Sequence, residues 1–193
     1  MTKLIIFFLI PYYSSHAFVL SEQNQSIQNH LLNNNTYVKS EVNSIKNSQQ
    51  FSFSAAGLHH QSCRTAMKTI GHYENYQNKI SFIKSSSYAK NRIHLLLSSS
   101  FLPFDMVLDF KLPRINDVGI YPFTFDNGFL LGLKGNIYIR KFTQNKKYKC
   151  LIALQANWKG PKTKIPDYIF ELFTKTIGHI GLKKLFRMSG HRF

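Results

Sequence analysis

The sequence predicts an α+β fold: a curved, seven-stranded antiparallel sheet wrapped around one long C-terminal helix, with two short helices after the first strand. Three observations predict it. Strand periodicity recurs from Ile80 to Trp158, one helical pattern occupies Ile165 to Gly190, and a short helical stretch from His60 to Tyr76 separates a first strand from the others. Successive strands followed by one long helix point to a layered domain with an antiparallel sheet rather than to alternating parallel units.

Each element has its own signal. Phe51-Ser-Phe-Ser-Ala alternates and reads as the first strand. Cys63, Met67, Ile70 and Tyr73 then recur at three- and four-residue spacing, as in one or two short helices broken near Gly71. Ile80 to Tyr88 and Arg92 to Ser99 form a hairpin around Ala89-Lys90-Asn91. Phe104, Met106, Leu108, Phe110 and Leu112 alternate with Asp105, Val107, Asp109 and Lys111, a strand with one face buried. Gly119 to Phe125 and Phe129 to Phe142 flank Asp126-Asn127-Gly128, a tight-turn signal. In the last strand Tyr148, Cys150, Ile152, Leu154, Ala156 and Trp158 share one face, while Lys149, Leu151, Ala153, Gln155 and Asn157 give a mixed one. Gly160-Pro161 ends it. Pro166 opens the helix, where its missing amide hydrogen costs nothing, and Ile169, Phe170, Phe173, Ile177, Ile180, Leu185 and Phe186 carry the apolar stripe.

Composition limits the function classes. The chain has 193 residues, 44% hydrophobic and 15% aromatic, which is enough to bury a core. Two cysteines exclude a disulfide-dense mini-protein and a four-thiolate zinc site. The formal charge of +16 fits an anionic membrane, a nucleic acid or mere solubility.

The N-terminus narrows that choice. Lys3, the apolar run Leu4 to Ile10 and the small-residue end Ser15-His16-Ala17 have the three parts of a secretory signal peptide, so residues 1–17 are expected to be removed and the chain exported, to a periplasm or beyond the cell. The run is too short to span a bilayer, which needs about 20 apolar residues. Residues 18–50, rich in Asn, Gln and Ser, read as a polar, weakly ordered arm, leaving 51–193 as the folded domain. Export makes Cys63 and Cys150 a candidate disulfide, with buried free thiols as the alternative. It also makes nucleic acid an unexpected partner.

With Tyr73-Glu-Asn-Tyr76 running into Ile80 to Tyr88, the strand Leu102 to Phe110, and Trp158-Lys-Gly-Pro161 followed by Ile165-Pro166 and its helix, the chain resembles the START-like (SRPBCC) helix-grip superfamily of lipid-transfer domains, polyketide cyclases and coenzyme Q-binding proteins. The resemblance covers about 51–190 and rests on element order. It implies that the first strand pairs antiparallel with the last, which brings Cys63 toward Cys150. It also implies a cavity for an apolar ligand between sheet and helix, the alternative being a packed core. Its expected lining is Phe104, Met106, Leu108, Phe110, Phe125, Leu131, Leu133, Trp158, Phe173 and Ile177. The expected partner is a hydrophobic small molecule or lipid, with no cofactor.

Chemistry-bearing residues are sparse by comparison. No nucleophile, base and orienter stand in a recognisable motif, so no catalytic residue is assigned. Cyclase-like or isomerase-like members place polar groups inside the cavity, and Tyr121, Asp109 and Arg114 would be the residues to watch. His59-His60 with Cys63 lacks a fourth ligand, so no metal is expected. Lys134, Arg140, Lys141, Lys146, Lys147, Lys183, Lys184 and Arg187 form basic groups suited to an anionic membrane surface, at about 1 kcal/mol each close to the lipid.

Overall fold

The structure, a computed structural model, describes residues 25–190 except 101, 145 and 146, and the side chains of these except 144, 147 and 148. The expected signal peptide and Lys146 lie outside the described residues. In chain order the elements are α1 (Gln25–Leu32), β1 (Thr36–Ile45), β2 (Ser48–His59), α2 (Cys63–Ile70), a 3-10 helix (Tyr73–Asn78), β3 (Ile83–Ala89), β4 (Arg92–Leu97), β5 (Met106–Lys111), β6 (Gly119–Gly128), β7 (Lys134–Gln144), β8 (Lys147–Pro161) and α3 (Asp167–Met188). All strands join one antiparallel sheet in the order β1-β2-β8-β7-β6-β5-β4-β3.

The sheet has eight strands, not the expected seven. The added strand is β1, and it comes from the segment read as a weakly ordered arm. Thr36, Val38, Ser40 and Val42 alternate inward and are all buried, but two of the four carry hydroxyls, so the strand period is hidden from a hydrophobicity reading. These hydroxyls find partners on α3. Thr36 Oγ1 lies 3.2 Å from His179 Nδ1, Ser40 Oγ 2.7 Å from Thr174 Oγ1, and Ser44 donates from N and Oγ to the Asp167 carboxylate at 2.9 and 2.6 Å. The helix therefore lies along β1 as well as over the concave face. Gly178 permits the approach: a Cβ there would come within 2.6 Å of the Phe53 ring and 2.9 Å of Val38.

α1 covers the convex face. Its Leu31 is fully buried in a second, small core with Ala56, Leu58, Tyr138, Leu151 and Ala153. The mixed outer face of β8 is thereby explained: Leu151 and Ala153 sit under α1, while Gln155 and Asn157 line a polar hollow beside it.

The Asp126-Asn127-Gly128 turn is also displaced. These residues remain in β6, because Arg92 grips the Asp126 carboxylate with two bonds of 2.6 Å and Asn127 donates to Asp109. Asn127 and Gly128 pair across with Asp109 and Leu108 of β5. The chain reverses instead through residues 129–133, where Leu130 and Gly132 take positive φ values of 64° and 89°.

β2 pairs antiparallel with β8, placing His59 opposite Cys150. Cys63 opens α2 just beyond, and the two cysteines form a disulfide with Cα atoms 4.7 Å apart.

Candidate functional site

Inward residues of β2, β4–β8 and α2 form a bowl, and α3 closes it. The cavity measures about 360 Å³, within the ~300–1,000 Å³ range of small-molecule sites. Its wall carries no charged side chain among the described residues. Among the described residues Thr174, Tyr73 and Tyr76 bring the only side-chain polar groups to that wall, and their hydroxyls are already engaged. Thr174 Oγ1 donates to Phe170 O at 2.8 Å, Tyr73 OH donates to Pro113 O at 3.0 Å and Tyr76 OH donates to Ile70 O at 2.6 Å. Burial pushes both phenols above their ordinary pKa, so they stay neutral. A lining without unmet polar groups disfavours water and suits an apolar guest.

Of the ten residues expected to line a cavity, Met106, Leu108, Phe110, Phe125, Leu133, Phe173 and Ile177 lie on the wall. Phe104, Leu131 and Trp158 do not. Phe104 precedes β5, so the alternation that turns Met106 inward does not extend to it; its exposed ring meets Phe129 edge-on at 5.4 Å. Leu131 stands at the crest of the 129–133 loop and is exposed. Trp158 is buried beside Phe170, with its indole N–H donating to Leu131 O at 2.9 Å, and packs next to the cavity rather than on it.

The wall also includes residues that the sequence reading did not assign to it. Phe51, Phe53 and Ala55 of β2, Ile152 and Leu154 of β8 and Met67 of α2 were legible only as members of apolar stripes. Phe129 and Leu130 come from the relocated turn, where no periodic signal exists.

The polar residues singled out for chemistry are placed away from the cavity. Asp109 points to the other face of β5 and bonds His94 Nδ1 at 2.6 Å. Arg114 stacks 4.4 Å above the Tyr88 ring, reaches Glu74 and donates to Gly71 O at 2.7 Å. Tyr121 donates to Asp117 O. The Cys63 sulfur is held in the disulfide, and buried His59 shares a 2.8 Å hydrogen bond with Ser189. No cluster of three metal-ligating side chains occurs among the described residues.

The basic groups are split between the two ends of the sheet. Lys134 begins β7 near the N-terminus of α3, whereas Arg140 and Lys141 lie toward the opposite end, where Lys183, Lys184 and Arg187 end α3. Lys147 opens β8 at that second end too.

No protein-family model matches the chain, and no curated protein sequence does. Solved structures do. A START superfamily protein from Mycobacterium smegmatis aligns with a TM-score of 0.53 and 14% identity, over 71% of this chain and 96% of that one. The fold is START-like. The protein XoxI from Bacillus cereus aligns with a TM-score of 0.49 and 15% identity, over 70% of this chain and 93% of that one. The cavity occupies the space between the START-like sheet and its C-terminal helix.

Proposed function

We propose that the chain is an exported carrier that encloses one hydrophobic small molecule or lipid between its sheet and α3, and that meets an anionic membrane to load or release it. The supporting observation is the cavity of about 360 Å³, walled by apolar side chains and by hydroxyls that are already hydrogen-bonded. A polar or charged substrate would enter at the cost of its hydration with nothing to replace it. An apolar one gains roughly 25 cal/mol for each Å² it withdraws from water.

Export is supported by the leader-like N-terminus and the Cys63–Cys150 disulfide, which suits an oxidising compartment. No helix among the described residues is long and apolar enough to cross a membrane. Membrane contact is supported by the charge of +16.

The experiment is extraction of the purified chain with organic solvent, with native mass spectrometry alongside and titration by a fluorescent fatty-acid analogue. One apolar molecule per chain is the expected result. A chain that releases nothing and takes up no probe overturns the reading.

A further inference from the structure

Eight large hydrophobic residues are exposed among the described residues, and most of them lie toward one end of the sheet. Ile45 ends β1, Phe104 precedes β5, Leu131 crests the 129–133 loop, and Tyr168 and Leu172 lie in the first turns of α3. The antiparallel order puts these termini at the same end, since β1, β8 and β6 end where β2, β7 and β5 begin. Leu131, Leu172 and Tyr168 are 62%, 64% and 72% exposed. Exposed apolar groups gathered in this way mark an interaction surface.

The same end forms part of the cavity wall, and there the wall is one residue thick. Leu130 faces the cavity and Leu131 faces solvent. Phe173 faces the cavity and Leu172 solvent. Phe104 lies outside against Phe129, which lines the interior. The loop between them carries a leucine in the left-handed region, and a Cβ on Gly132 would meet no atom within 4 Å, so its crest is open to solvent.

Five exposed lysines lie at the same end: Lys46, Lys134, Lys159, Lys162 and Lys164. None makes an ion pair among the described residues. The carboxylates nearby are Asp105, Glu171 and Asp167, the last already bound by Ser44 and Gln49. Apolar groups accompanied by lysines match a bilayer of anionic lipid, whose phosphates meet the lysines while its acyl region takes the leucines.

We infer that this end, and not the more basic opposite end, is the face that docks on an anionic membrane, with the 129–133 loop and the first turns of α3 as the gate between bilayer and cavity. The inference rests on the carrier reading above, since a gate needs an interior to serve.

The test is flotation of the full chain with vesicles of phosphatidylcholine alone and of phosphatidylcholine with 30% phosphatidylglycerol, alongside solvent extraction of the apolar cargo. Wild type should float only with the anionic vesicles. Leu131→Glu with Leu172→Glu should weaken partition at least tenfold while circular dichroism stays unchanged. Lys162→Gln with Lys164→Gln should weaken it by about fivefold per lysine, and Lys141→Glu with Lys184→Glu by much less. Wild type that fails to float, or floats equally after the leucine changes, overturns the docking face while leaving the cargo result intact. Loss caused mainly by the Lys141 and Lys184 changes moves the face to the other end. A dimer that buries Leu131 and Leu172 in place of vesicle binding, seen by light scattering, also overturns it. A chain without cargo that still floats refutes the carrier reading and retains the docking face.

Discussion

Ser40 Oγ and Thr174 Oγ1 lie 2.7 Å apart, both buried, and join the outermost strand to the C-terminal helix. Thr174 spends its own proton on Phe170 O, so Ser40 is the donor between them. Thr174→Val should strand the Ser40 hydroxyl at a cost of about 1–3 kcal/mol. Adding Ser40→Ala removes the stranded group, and the double variant should be less destabilised than the two single effects summed. Urea denaturation of the four proteins in the cycle measures the coupling.

Truncation tests the boundary of the folded unit. A chain beginning at residue 51 loses β1 and α1, and with them the buried Leu31, Val38 and Val42, each worth about 1.5–3 kcal/mol. It also strips α3 of the partners for His179, Thr174 and Asp167. Such a loss rivals the ~5–15 kcal/mol stability of a whole domain. Expression from residue 51 should therefore give insoluble or molten protein, whereas a chain beginning near residue 25 should show a cooperative thermal transition.

The disulfide joins positions 87 residues apart. The chain-entropy relation assigns about 4–5 kcal/mol to such a loop. Cys63→Ala with Cys150→Ala, or reduction of the wild type, should lower Tm by on the order of 10 °C. Calorimetry with and without reductant checks this; a shift of only a degree or two would refute the stabilising role.

Two pH windows should separate. Burial lowers the pKa of His179, helped by Lys183 and Lys175 on its own helix and His30 of α1. An unfolded chain takes up that proton below the ordinary value of 6.5 while the folded chain resists it, so stability should fall as pH drops from about 7 through that window. His179→Gln should flatten this slope. The Asp167 carboxyl is held below its ordinary 3.8 by Ser44 and then Gln49, so its contribution is complete above that value and lost as pH falls beneath it. Asp167→Asn should reduce stability at neutral pH and flatten only the slope below about pH 4. Urea midpoints across the pH range distinguish the two.

Filling the cavity should reduce cargo without the usual penalty of a crowded core. Ala55 lines the wall, and Ala55→Leu adds volume into open space. Overpacking a filled core costs about 1–3 kcal/mol. Here the unloaded protein should be unchanged or stabilised in Tm while extracted cargo declines. Destabilisation with unaltered cargo would show that the space is not the binding site.

Much of this arrangement could be read from the chain. The alternation of Met106, Leu108 and Phe110, the Pro166 helix start and the Gly71 break all stand where local pattern places them, because each rests on local periodicity or backbone geometry. β1 was hidden because a strand against a helix can satisfy its inward positions with Thr36 and Ser40 hydroxyls instead of apolar groups. The turn moved because Asp126 and Asn127, favourable turn residues, are captured by Arg92 and Asp109, both distant in sequence. Leu131 and Phe104 went astray for a related reason: outside a regular strand, alternation no longer determines which way a side chain points.

The pairing of β2 with β8 and of β1 with α3 also fixes when the protein can exist. The middle strands β3 to β7 are neighbours in sequence and can pair as they emerge. The N-terminal hairpin must wait for the final strand, and α3 completes the structure only when the chain has reached Met188. Non-local closure of this kind slows folding. An apolar bowl is therefore open to solvent until the last segment arrives, and the moment of closure is also the first moment at which a guest can be trapped.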